Sequence, residues 1–274
     1  MRELILATGL RGKEISRIEE IELYKRAGWD GVFTDWAEEF FEVAKKIKQE
    51  NLTYQSVHAP YTDSAVIWQE GEAGDRAIET LIQCLRDSDK VGVHLIVMHA
   101  FIGFEYDTVP NSLGIDRFGK LVQEAEKLGT VIAVENTEGE EFLDCLQTVF
   151  ADNKNVGFCI DTGHEMCYNR SQDLITKYGK KVVATHLNDN MGITGEQIFW
   201  WDDAHMLPFD GIANWQGIAD RLNKVGYKGE LTFELTRWNK PNRNTHDIYA
   251  HLDLEGFVKL AYEKAKKFRE LVER

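Results

Sequence analysis

Eight short apolar runs, alternating with longer stretches of helical character, constrain the fold of this chain more than anything else in it. The runs are LILAT (4–8), GVFTDW (31–36), YQSVHA (54–59), LIVMHA (95–100), VIAVEN (131–136), GFCIDT (157–162), VVATHL (182–187) and LTFEL (231–235). They are apolar on both faces, as strands are in a parallel sheet covered by helices. Amphipathic patterns fill the segments 14–28, 40–51, 74–92, 116–129, 215–226 and 255–272. In the first of these, Ile15, Ile18, Ile21 and Leu23 fall near one stripe and Gly28 ends the pattern. Strand–helix alternation predicts parallel crossover units. Eight such units in 274 residues predict an α/β chain folded as one domain, residues 1–274, a single (β/α)8 TIM barrel. The rival, an open doubly wound sheet, more often carries an early glycine-rich phosphate loop. TGLRGKE (8–14) lacks the G-x-G-x-x-G spacing of that loop.

Charge and cysteine content narrow the partners. The formal charge is −14, from 46 acidic and 32 basic residues, which argues against a nucleic-acid surface. No apolar run reaches the ~20 residues of a membrane helix, so no membrane partner is expected. The opening MRELILATGL contains Glu3 and reads as a first strand rather than a signal peptide. Cys84, Cys145, Cys159 and Cys167 show no C-x-x-C spacing. They read as small buried thiols in a reducing, cytoplasmic setting.

The ends of the runs carry the chemistry. Successive strands finish in His58, His99, Glu135, Asp161 (with His164 just after it), His186 and Glu234. A long connection from His186 to about Asn214 adds Asp203 and His205. In a barrel, the C-terminal strand ends and the loops after them converge on one mouth. Carboxylates crowded there repel each other unless a cation neutralises them. Imidazole and carboxylate together suit Zn, Mn, Fe or Co better than Ca. One such group alone is more often a satisfied buried polar residue, but nine at one end of one sheet point to a divalent metal, with Glu135, Asp161, His186 and Glu234 as its ligands. His94 starts its strand and belongs at the opposite face, whereas His246 and His251 read as surface or loop residues. FWWDD (199–203), which includes Trp201, offers aromatic faces for the mouth, as do Trp68 and Trp238. Packing is the alternative for all of them. Arg237, Lys240 and Arg243 follow the last strand, where barrel phosphate sites form, with exposed loop charge as the alternative.

HAPY (58–61), VEN (134–136), IDTGH (160–164), HLNDN (186–190), DAHMLPFDG (203–211) and FEL (233–235) resemble the xylose-isomerase-like TIM-barrel superfamily. That group holds sugar phosphate isomerases and epimerases, and also endonuclease IV. Resemblance to its ketose 3-epimerases implies one Mn or similar ion on Glu135, Asp161, His186 and Glu234. It also implies that Glu135 and Glu234 are catalytic, moving protons at opposite faces of the substrate through a metal-stabilised enediolate, and that His164 contacts substrate. Resemblance to endonuclease IV implies instead up to three Zn on nine ligands. These are His58, His99, Glu135, Asp161, His164, His186, Asp203, His205 and Glu234, and the activity is phosphodiester cleavage at damaged DNA. Against that second reading, LATGLRGKEIS (6–16) lacks the glycine-rich loop endonuclease IV uses on DNA, and TDSAVIWQEGEAGD (62–75) is acidic. A non-catalytic sugar-binding or accessory subunit ranks third, because both glutamates are present. The expectation is a sugar or sugar-phosphate isomerase or epimerase with one divalent metal (Mn, Zn, Co or Fe). Its substrate is a small sugar, polyol or sugar phosphate, met by His58, His99, His164, Trp201 and Arg237. Homo-oligomers are compatible with the superfamily.

Overall fold

The computed structural model describes residues 1–104 and 106–274. Its eight strands are β1 (Leu4–Ala7), β2 (Gly31–Asp35), β3 (Thr53–His58), β4 (Leu95–His99), β5 (Val131–Glu135), β6 (Val156–Asp161), β7 (Val182–His186) and β8 (Leu231–Phe233). All neighbouring pairs are parallel, in the order β7-β6-β5-β4-β3-β2-β1-β8. The ring is completed where Leu187, just past β7, bridges Phe233, with Leu187 N–H donating to the Thr232 carbonyl at 2.8 Å. A single (β/α)8 barrel results, as the alternation predicts.

Nine helices are described: α1 (Arg17–Ala27), α2 (Phe40–Gln49), α3 (Glu72–Lys90), α4 (Ser112–Leu128), α5 (Glu140–Val149), α6 (Thr162–Cys167), α7 (Leu174–Tyr178), α8 (Trp215–Lys224) and α9 (Leu254–Val272). Local chemistry sets their ends. At the start of α1, the Ser16 side chain accepts from Glu19 N–H while Glu19 reaches back to Ser16 N–H, a capping box. Gly28 ends the helix at φ 102°, a left-handed value that suits glycine. Three helices were not read from the sequence: α5, α6 and α7. No described helix is long and apolar enough to cross a membrane.

The period of two along each strand places the site. Val97, Ala133, Cys159 and Ala184 form one small buried layer inside the barrel. Two residues further along the same strands stand His99, Glu135, Asp161 and His186, facing the same way. The interior is thus floored by small apolar groups and topped by titratable ones. The larger core lies between sheet and helices, built from residues such as Leu6, Val32, Ile96, Phe158, Phe257 and Phe268.

Several expectations are corrected here. His246 lies in a loop, as expected, but is buried at 3% exposure rather than on the surface. Cys145 is only half-buried, unlike the other three cysteines. Trp68 does not line the mouth. It is buried against Phe118 and Phe142 and donates its indole N–H to the Ala100 carbonyl at 2.8 Å.

Candidate functional site

A cavity of ≈ 480 Å³ opens at the C-terminal ends of the strands. It contains the candidate residues His58, His99, Glu135, His164, Asp203, His205 and Glu234 on its walls. Asp161 and His186 lie just beneath, fully buried. All nine residues singled out at the strand ends and in the long loop are therefore brought together.

Glu135 is the hub. His58 Nε2 and His99 Nε2 each lie 3.2 Å from its Oε2, and His186 Nδ1 lies 2.9 Å from its Oε1. The same His186 Nδ1 is 3.0 Å from Glu234 Oε2, so one imidazole joins the two glutamates. Phe33 stacks on the His186 ring with centroids 4.6 Å apart and fixes its plane. Burial alone would push Glu135 up. The three imidazoles outweigh it and hold the carboxyl well below the usual range. Glu234 follows the same logic: burial pushes it up, but His186 and His205 bring it down to about 2.

Asp161 is positioned by a helix cap. Its Oδ1 accepts the His164 N–H at 2.7 Å, which makes it the N-cap of α6 and sets the separation of the two residues. Its Oδ2 accepts from the Asn188 amide at 2.8 Å. Gly163 permits that approach, since a Cβ there would stand 2.0 Å from Asn188 Oδ1. Asn136 ties the ends of β5 and β6 together, accepting Asp161 N–H at 2.7 Å and donating to the Asp161 carbonyl at 2.9 Å. Burial raises the Asp161 carboxyl to about 6, against the pull of His164 and His205.

A third group stands on the long loop. His205 Nε2 is 2.9 Å from Asp203 Oδ1, and His164 Nε2 is 3.4 Å from Asp203 Oδ2. His205 takes a left-handed backbone, φ 50°. The Asp189–Met206 bridge beside it and the Thr236 N–H donated to its carbonyl hold it there. Burial lowers His205, yet Asp203 lifts it to about 9.

These donors suit a divalent cation. Ligand atoms of Glu135, Asp161, His186 and Glu234 all lie within 4.8 Å of one another. Among the described residues no Lys or Arg pairs with any of these carboxylates; only imidazoles do. Three further groupings meet the same criterion: His58 with His99 and Glu135, Asp161 with His164 and His205, and Glu135 with Cys159 and His186.

Two expected substrate contacts are corrected. Arg237 does not reach the cavity, because its Nη1 pairs with Glu14 Oε1 at 2.7 Å and donates to the Leu10 carbonyl at 3.3 Å. Trp201 is stacked on Phe199 at 4.7 Å and covered by the Arg243 guanidinium, while its neighbour Trp200 lines the cavity. Sequence reasoning passed over Asp35, Phe104 and Tyr168, which also line it. Asp35 carries the very signal used elsewhere, a carboxylate at a strand end. Phe104 and Tyr168 sit on loops and carry no comparable signal.

A family model described as a xylose isomerase-like TIM barrel matches residues 21–253. An uncharacterised protein of Methanocaldococcus jannaschii, MJ1311, is 23% identical over 238 residues, 79% of this chain and 74% of that one. Among solved structures, the IolI protein with a bound zinc atom superposes with a TM-score of 0.75 at 18% identity, covering 99% of this chain and 98% of that one. D-psicose 3-epimerase from Clostridium cellulolyticum H10, solved with D-tagatose, gives 0.74 at 17% identity, over 98% and 99% of the two chains. The strand order, the polar ring at the mouth and the extent of the family match together show that the chain belongs to the xylose isomerase-like TIM barrel family.

Proposed function

We propose that this chain is a divalent-metal-dependent isomerase or epimerase of sugars or sugar phosphates, working by proton transfer beside a carbonyl through an enediolate. One observation carries the reading: Glu135 and Glu234 face one cavity from strands on different sides of the barrel, with a single imidazole, His186, between them. Glu135, Asp161, His186 and Glu234 would hold the ion. When bound, a divalent cation offsets negative charge developing on substrate oxygens.

The rest follows from the chain's own groups. Both glutamates are ionised near neutral pH, so either can take a proton from carbon. The other, once protonated, returns one to the opposite face or to the adjacent carbon. His58, His99 and His164 stand on the cavity wall to donate to substrate oxygens. Tyr61, Phe104, Tyr168 and Trp200 supply faces for C–H surfaces and exclude water.

Glu234→Gln should lower the incorporation of solvent deuterium into ketoses or their phosphates by about 10²-fold or more while leaving metal bound. A variant exchanging at the wild-type rate removes Glu234 from this role. A second reading rests on the groupings of Glu135, Asp161, His186 and Glu234, of His58, His99 and Glu135, and of Asp161, His164 and His205, which together supply eight of the nine ligands expected of a three-zinc phosphodiesterase, with Asp203 standing beside His164 and His205. Protein purified without chelator that holds about three Zn and cleaves an abasic-site duplex establishes that reading instead. Sugar binding without exchange would point to a non-catalytic role.

A further inference from the structure

His99 stands between two cavities. On one side it belongs to the wall of the site, with Nε2 3.2 Å from Glu135 Oε2. On the other it lines a separate cavity of ≈ 20 Å³, walled by Ser64, Ile67, Ala77 and Leu81 and reaching the exposed residues Asp63 and Thr80. That volume has room for one water.

Two polar atoms of the residues around this small cavity are buried and without a hydrogen-bond partner among the described residues: His99 Nδ1 and Ser64 Oγ. Both residues are more than nine-tenths buried, at 7% and 4% exposure. Leaving such atoms unpaired is costly, so a partner is expected for each. The turn next to Ser64 does not supply one. Ser64 immediately precedes the short 3₁₀ turn Ala65–Trp68, where a serine hydroxyl ordinarily accepts from the N–H groups that follow. Its backbone is helical instead, φ −62° and ψ −32°, and its side chain makes no cap bond. Its N–H is already used, donating to the Tyr61 carbonyl at 3.0 Å.

The polarity of the arrangement follows from the far side of the ring. The Glu135 carboxylate can only accept, so the His99 Nε2 that faces it carries the hydrogen. In a neutral imidazole Nδ1 is then an acceptor. A water donating to Nδ1 and sharing a second hydrogen bond with Ser64 Oγ satisfies both atoms at once.

We infer that the small cavity holds one resident water, which links His99 Nδ1 to Ser64 Oγ and keeps the hydrogen on His99 Nε2, toward the site. Ser64 is thereby a positioning residue, acting on substrate only through His99. That consequence for substrate rests on the sugar-isomerase reading, whereas the water bridge does not.

The test joins crystallography to 15N NMR of the histidine rings, on metal-loaded wild type, Ser64→Ala and Ala77→Val. The first variant removes one partner of the water, and the second fills its space without altering either polar atom. Thermal unfolding verifies that each variant folds, and should one fail, the other carries the same readouts. Wild type should show a water within hydrogen-bond distance of both atoms and a His99 ring protonated on Nε2. Both variants should lose the water, and the His99 Nδ1 resonance should move toward that of a nitrogen that accepts no hydrogen bond. No such water in wild type, the hydrogen on Nδ1, or identical His99 resonances in all three proteins would each overturn the inference. With a ketose that wild type exchanges in deuterated water, the variants should raise KM by about tenfold and change kcat less. An unaltered KM after loss of the water sinks the positioning role of Ser64. Absence of exchange with every ketose sinks the reaction, while density and resonances still decide the bridge.

Discussion

His246 illustrates how one side chain can turn burial into pH dependence. It lies buried beyond β8, its N–H donating to Asn239 Oδ1 at 2.7 Å. Burial pushes its pKa down to about 4 from the ordinary 6.5, and the nearby charges of His205 and Lys240 push the same way. The folded state thus binds the proton less readily than the unfolded chain. Its contribution to stability is complete above pH 6.5 and is lost as pH falls through 4. The urea midpoint should fall across that window, and His246→Asn should flatten the fall; an unchanged slope in the variant would assign the acid sensitivity to other groups. Position beyond the last strand gave no hint of this burial, because it depends on packing by loop residues far apart in sequence. Asp161 and His164 were legible as a pair for a reason that proved double. The Asp-x-x-His spacing is a helix cap, and the cap leaves the carboxylate within reach of Glu135, His186 and Glu234.

At the scale of elements, strands and long helices were readable because periodicity needs only length. α6 was not, since its six residues begin directly at the end of β6 and complete fewer than two turns. α5 was readable in principle, with Phe142, Leu143 and Leu146 at helical spacing and buried. The connection between β7 and α8 was recognisable as functional by its length, but its fastening was not. Arg243, 41 residues from Asp202 along the chain, donates two hydrogen bonds to that fully buried carboxylate and a third to Thr194 Oγ1 at 2.8 Å. This joins the turn carrying Trp200 and Asp203 to the loop after β8. Arg243→Ala leaves the Asp202 charge unpaired, a cost on the order of 3 kcal/mol. Hydrogen exchange at residues 191–203 should accelerate well before the barrel strands respond. Equal protection in variant and wild type would show that the turn holds itself.

For the whole molecule, the polar ring at the mouth sets buried carboxylates against the imidazoles that offset them. Glu135, Asp161 and Glu234 are crowded in the fold and separate on unfolding. A divalent cation held only by the folded state would stabilise it by about 2.7 kcal/mol at a hundredfold excess over its Kd. Chelation should therefore lower the thermal midpoint by roughly 5–10 °C, and re-addition of Mn or Zn should restore it. A midpoint indifferent to chelator would argue against a resident ion. The barrel itself was legible from alternation alone, and so was the ring, because every second residue of a parallel strand faces inward. The commitment of Arg237 to Glu14 was not, since it joins the two ends of the chain across 223 residues.

The ring is also divided unevenly along the chain. Glu135, Asp161, His186 and Glu234 all come from β5 onward, whereas Asp35 and Tyr61 come from the first three βα units. Under the proposed function, one arc of the barrel would carry the metal-holding and proton-moving groups, and the other part of the wall that meets the substrate. Substitutions in the early loops can retune selectivity without touching the donors. Such a chain can diverge in what it accepts while keeping the reaction it performs, so its descendants are expected to share a mechanism sooner than a substrate.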